Sequence, residues 1–209
     1  MAKGNIKVDN KMYIFCEGEK TEPYYLSAYV EDRVSHKTKV INIPNTKKNT
    51  PLQLVDEAIA KKNSKSTISG DVFWVVYDRE AVNKITKEKH QQAWDKAIRN
   101  GINVAISNVC FEFWILLHFE YTCSTFTSFL NLYNTSNLKK HLSKEGIDDY
   151  DKGNDELYFT ISSRIKTARK NAVKVNAQVL STAPKGVDKP YELFPFTNVH
   201  ELLDSIDSF

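Results

Sequence analysis

Four short runs rich in β-branched and aromatic residues, at 13–16, 39–43, 72–77 and 102–106, organise the first half of this chain. Each is bounded by Gly, Asn or Asp, and their starts lie roughly 26 to 33 residues apart. That spacing is too wide for hairpins and leaves room for a helix in every gap, and the gaps supply helical patterns. Residues 23–33 carry Leu26, Tyr29, Val30 and Arg33 at helical intervals. Thr50 and Pro51 read as an N-cap with proline in first position, ahead of Leu52, Val55 and Ile59. Residues 90–100 group Trp94, Ala97 and Ile98 and end on Gly101 as a C-cap. Alternating strands and helices require crossover connections, hence parallel pairing with right-handed crossovers. The expected fold class is α/β, a three-layer parallel-sheet sandwich over residues 10–120.

Beyond residue 120 the pattern turns helical. Residues 110–119 read as a buried helix, 126–133 and 138–142 as short helices, 146–154 as a polar loop, 156–175 as a longer helix, 181–188 as a loop and 199–206 as a last amphipathic helix. Residues 121–209 are therefore expected to form a helical cap packed on the sheet domain, not an independent module. The composition, 41% hydrophobic and 26% charged, is that of an ordinary soluble globular protein. A net charge of +3 permits a nucleic-acid partner without arguing for one. Cys16, Cys110 and Cys123 have neither metal-ligand nor disulfide spacing, which fits buried free thiols in a reducing compartment. Residues 1–11 lack an apolar secretory segment, and the apolar run at 109–119 is too short to span a membrane. A cytoplasmic protein without membrane contact is expected.

Chemistry is suggested where the strands end. The first runs into Glu17 and Gly18, with Glu19 and Glu22 close behind and Pro23 opening a helix. The third ends in Asp78-Arg79-Glu80, where two carboxylates alternate by two and can project from the same side. In open α/β sheets ligands bind at the carboxyl ends of strands. Carboxylates delivered there by two strands suggest a hard divalent cation such as Mg²⁺, and with it metal-assisted phosphoryl transfer. Lys20 and Arg79 stand beside these acids, either to contact a substrate phosphate or to balance charge.

Ser107 and Asn108 end the fourth strand and are candidate helix caps. In the apolar run that follows, Glu112 needs a partner, because burying an unpaired carboxylate is costly. It is either one half of a structural ion pair or a support for the metal site and its nucleophilic water. His118 is not on the same helical face and reads as a packing residue, with a general-acid role as the minority reading. Lys166, Arg169, Lys170 and Lys174 form a helical stripe that is either a solvated face or a phosphate-backbone contact. No Walker loop, Gly-x-Ser-x-Gly elbow or zinc spacing is present in the sequence.

Glu17-Gly18 and Asp78-Arg79-Glu80 resemble the Toprim metal site of topoisomerases, primases and OLD-type nucleases. More of the chain resembles the RloB-like (AbiLii-like) family of bacterial phage-defence proteins. The matching segments are Glu17 to Tyr25, Val76 to Glu80, Ser107 to Phe119, Tyr150-Asp151-Lys152 and Pro195 to His200. The third is the most specific. Two departures stand out: Glu80 occupies the second position of the usual Asp-x-Asp, and Asn108-Val109 stands where Asn-Pro is frequent.

The resemblance implies a Toprim-like (Rossmann-like) fold with a C-terminal helical elaboration, and a Mg²⁺- or Mn²⁺-dependent nuclease acting as the effector of an abortive-infection defence system. Glu17, Glu22, Asp78 and Glu80 would hold metal, and Glu17, Asp78, Glu80 and Glu112 would be catalytic. Lys20, Arg79, Lys152, Lys166, Arg169 and Lys170 would contact RNA, tRNA among them, or DNA. It further implies a neighbouring AAA- or ABC-type ATPase, and a homodimer is compatible with it. The alternative is a non-catalytic regulatory or nucleic-acid-binding subunit of an ATPase-containing complex.

Overall fold

The computed structural model describes residues 9–48, 50–80 and 84–209, so most of the 1–11 stretch, expected to hold no secretory segment, lies outside the described residues. Five strands form one sheet in the order β2-β1-β3-β4-β5: β1 (Met12–Cys16), β2 (Ile41–Asn42), β3 (Val72–Asp78), β4 (Asn103–Asn108) and β5 (Phe196–Thr197). The first four run parallel and β5 is antiparallel to β4. This is the expected mixed α/β, Rossmann-like sandwich. Side chains alternate across the sheet as a two-residue period requires. Met12, Ile14, Cys16, Trp74 and Val76 pack on one face, and Tyr13, Phe15, Phe73, Val75 and Tyr77 on the other.

Helices α2 (Pro51–Lys62) and α3 (Lys87–Arg99) cover the second face, and both open on a threonine cap, Thr50 and Thr86. In α2 the buried stripe is Leu54, Val55 and Ala58, with Leu52 and Ile59 at its margins. In α3 it is His90, Ala93 and Ala97, and Ile98, placed on that face from the sequence, is 54% exposed. Gly101 follows with φ +63, the left-handed conformation expected of a helix stop.

The first face is covered by α1 (Thr21–Arg33) together with the helical half of the chain. That half contains α4 (Glu112–Leu116), α5 (Phe129–Thr135), α6 (Leu138–Lys144), α7 (Leu157–Ile161), α8 (Ile165–Thr182) and α9 (Val199–Ser208). The helix expected over 110–119 is only the five residues of α4, although 110–118 are all buried. The long helix expected over 156–175 breaks at a 3₁₀ turn, Ser162–Arg164, and α8 runs on to Thr182.

The sheet also crosses the boundary drawn at residue 120. β5 was not anticipated: two residues carry no period. It is held by side chains, since Asn198 Oδ1 accepts from the Ile106 amide at 2.8 Å and its Nδ2 donates to the Val104 carbonyl at 2.9 Å. Among the described residues no helix is long and apolar enough to cross a membrane.

Candidate active site

The strand order sets where a site can form. From β1 the chain crosses to β2 on one side, while β3 lies on the other, so a crevice opens at the carboxyl ends of β1 and β3. Cys16 pairs with Val76 at that edge, and the Glu17 amide continues the ladder by donating to the Val76 carbonyl at 2.9 Å. The Asp78 amide in turn donates to Glu17 Oε2 at 3.2 Å, which ties the two acidic positions together. Gly18 makes the turn into α1, and a Cβ there would come within 2.5 Å of Glu22 Oε2. Thr21 donates its hydroxyl to the Lys152 carbonyl at 2.8 Å and so draws the 146–154 loop over the crevice. Beyond β3, the Arg79 amide donates to Ser107 O and the Glu80 amide to Val109 O. Glu80 itself sits at φ +53, an uncommon conformation for a residue other than glycine, and of a kind that clusters at functional sites.

The result is a cleft of about 400 Å³ lined by Glu17, Lys20, Glu22, Asp78, Glu80 and Lys152, with Glu19 at its rim. Burial raises the Glu17 carboxyl to about 7, with the charges of Glu80 and Glu22 adding to the shift and the Asp78 amide opposing it. Burial likewise raises Asp78 well above the usual carboxylate range, reinforced by the charges of Glu22, Glu112 and Glu17. Glu22 is raised by burial and by Glu112. Lys152 is the cation that offsets them. Burial works against its charge, but Glu112 and Asp78 hold its pKa above the ordinary lysine value.

Glu112 lies beneath this cleft, fully buried. Its Oε1 accepts from the Tyr150 hydroxyl at 3.1 Å, and its Oε2 is 3.6 Å from Lys152 Nζ. It is therefore half of an ion pair whose other half lines the cleft. Neither Tyr150 as a partner of Glu112 nor Thr21 as the anchor of the loop was singled out from the sequence, because both contacts join distant segments.

Other expected site residues lie elsewhere. Arg79 is buried, donating to Tyr191 O at 2.9 Å and to Ile85 O at 3.1 Å, so its guanidinium ties loops together and does not line the cleft. Arg169 bridges to Asp204 and Asp207 of α9 and to the Tyr29 hydroxyl. Lys166 borders a separate hollow with Arg33 and Lys37, at the far end of α1 from Glu22. Lys170 is exposed on α8 and borders neither hollow. Ser107 and Asn108 cap no helix; they bond to Thr197 and to the Leu193 carbonyl. His118 is a packing residue: Tyr25 donates to its Nε2, its Nδ1 donates to Trp114 O, and burial lowers its pKa to about 4.

An all-oxygen, self-repelling donor set suits a hard divalent cation, whose charge would relieve the repulsion. As they stand, no three acidic, thiol or imidazole side chains among the described residues are gathered to hold an ion. Glu80 is engaged by Lys84 at 3.0 Å and Glu17 by the Asp78 amide.

The family model for RloB-like proteins matches residues 12–206, from the first strand to the last helix. The chain belongs to the RloB-like family. All the cleft carboxylates of this RloB-like chain, with Glu112 and Lys152, fall inside the matched span. No curated protein and no solved structure gave a match.

Proposed function

We propose that this RloB-like protein is a Mg²⁺- or Mn²⁺-dependent nuclease of Toprim type, the effector of an anti-phage defence system that works with a partner ATPase. The observation that carries the reading is the joining of Glu17 and Asp78 at adjacent parallel strand ends, at the switch point of the sheet, with Glu22 and Glu80 in the same cleft. Asp78 is the main metal ligand, Glu17 the central ligand or base, and Glu22 and Glu80 complete the shell once the Glu80 side chain leaves Lys84. The metal, when bound, activates water and stabilises charge on the scissile phosphate. Lys20 and Lys152 at the cleft wall orient the phosphodiester by charge, and Glu112 acts as a positioning residue through Lys152. RNA, tRNA included, or DNA is the substrate.

A second reading, a non-catalytic subunit of an ATPase complex, is favoured by the Lys84–Glu80 pairing and by the lack, among the described residues, of three converging ligands. One experiment separates the two. Total tRNA, other RNA and plasmid DNA are incubated with wild type and Glu17→Ala, with Mg²⁺ or Mn²⁺, with and without the ATPase, and thermal shifts with metal are recorded alongside. Cleavage that needs metal and Glu17, with a metal-induced rise in Tm, is expected. No product and no metal-induced shift would move the assignment to the non-catalytic subunit.

A further inference from the structure

The carboxylate cleft has a neighbour of different character. A second hollow of about 320 Å³ shares Asp78, Glu80 and Lys152 with it, but most of its remaining wall is apolar, from Val109, Cys110, Phe129 and Leu130, with Ser128 and Lys84 as its other polar members. Phe129 is a firm wall, since its ring stacks on Tyr133 at 5.7 Å between centroids and Lys152 Nζ lies 5.0 Å over it. Leu130 on the same helix borders the hollow with its side chain open to solvent, 65% exposed. Lys84, bonded to Glu80, borders the same hollow.

We infer that this hollow seats one unstacked nucleobase of the substrate, flanking the phosphate bound at the carboxylates, and that the enzyme therefore acts on single-stranded segments. The inference rests on the nuclease reading and names the substrate class of that same site. A nucleotide is polar at its phosphate and flat and apolar at its base, and the joined hollows change character in that order: carboxylates and Lys152 first, then Phe129 and Leu130. The hollow is at the small end of ligand sites, matched to a single nucleoside and not to a base pair. Duplex could present a base there only by flipping it out of the stack, at a cost single strands do not bear. Stacking on an aromatic face is also tolerant of sequence, so discrimination by strandedness is expected to exceed discrimination by base.

The test is fluorescence anisotropy with labelled single-stranded and hairpin-duplex oligonucleotides of RNA and of DNA. Ca²⁺ replaces Mg²⁺, and wild type is compared with Leu130→Ala and Phe129→Leu. Phe129→Leu keeps an apolar group against the core and removes the π-face, and Leu130→Ala changes an exposed residue, so both variants should fold. Wild type is expected to bind single strands more tightly than duplex. Each variant should weaken single-strand binding on the order of tenfold and leave duplex binding unchanged. If both variants match wild type on single strands, or if wild type binds duplex equally well, while Glu17-dependent cleavage persists, the base pocket is overturned and the nuclease reading stands. If wild type neither binds nor cuts any nucleic acid, both fall.

Discussion

Lys152 and Glu112 show at single-residue scale how the candidate site is held together. The Glu112 side chain is fully buried, while that of Lys152 is 46% exposed with its Nζ 3.6 Å from the carboxylate. Removing the lysine therefore leaves a buried charge without its counter-ion, held among the described residues by the Tyr150 hydroxyl beside the weak thiol of Cys110. Such uncompensated charges cost roughly 3–5 kcal/mol in dry surroundings; discounted for solvent at the lysine end, Lys152→Met should destabilise by about 2 kcal/mol. Glu112→Gln keeps an acceptor for Tyr150 and removes a charge that weighs on Asp78 and Glu22. It should cost under about 1 kcal/mol. Urea unfolding of the two variants checks the order, and a larger loss for Glu112→Gln would show that the pair is not what holds the loop. Gly18 acts at the same scale: its missing Cβ is what lets Glu22 reach the cleft.

At the scale of elements, the stripe of Lys166, Arg169 and Lys170 separates what a helical period can and cannot say. The period placed these residues together on one helix, but it carries no information about what lies opposite. Arg169 faces Asp204, Asp207 and Tyr29, so its charge is spent within the protein. Because those carboxylates are 59% and 41% exposed, Arg169→Ala should cost only about 1 kcal/mol. Its nucleic-acid affinity and salt dependence should equal those of wild type in a titration over ionic strength; a shallower salt slope would restore Arg169 to the substrate path. The same limit explains which elements were legible. β1, β3 and β4 declare themselves as dense apolar runs, and the carboxylates that follow β1 and β3 are as plain. The break between α7 and α8 had no local mark, neither proline nor glycine. It is made by distant partners: Tyr158 donates to Asp32, and Arg33 donates to the Ser162 carbonyl. β5 was invisible for the same reason, being built on the side chain of Asn198.

At the scale of the whole molecule, each face of the sheet encloses a neutral histidine, His118 among the aromatic residues beneath α1 and His90 between α3 and Tyr77. His90 is fully buried, stacks on Tyr77 at 5.8 Å, and finds no hydrogen-bond partner for either ring nitrogen among the described residues. Burial, and then the charge of Arg79, lower its pKa from 6.5 to about 4. Between those values the unfolded chain binds a proton that the folded chain refuses. The stability His90 permits is thus fully present above pH 6.5 and is lost as pH falls towards 4. Glu17 works in the opposite direction: its folded carboxyl titrates near 7 against an ordinary 4.5, so its protonation favours the fold as pH falls through that window. The raw pH profile of wild type mixes these two with His118, Asp78 and Glu22, and a comparison isolates one group. His90→Leu removes the titrating ring, replaces it with a side chain that needs no partner, and leaves Glu17 untouched. Urea unfolding at steps from pH 7.5 to pH 4 should show the variant gaining on wild type as pH falls, by up to about 3 kcal/mol at the acid end. Parallel curves would mean that His90 is already protonated in the fold or that its ring reaches solvent.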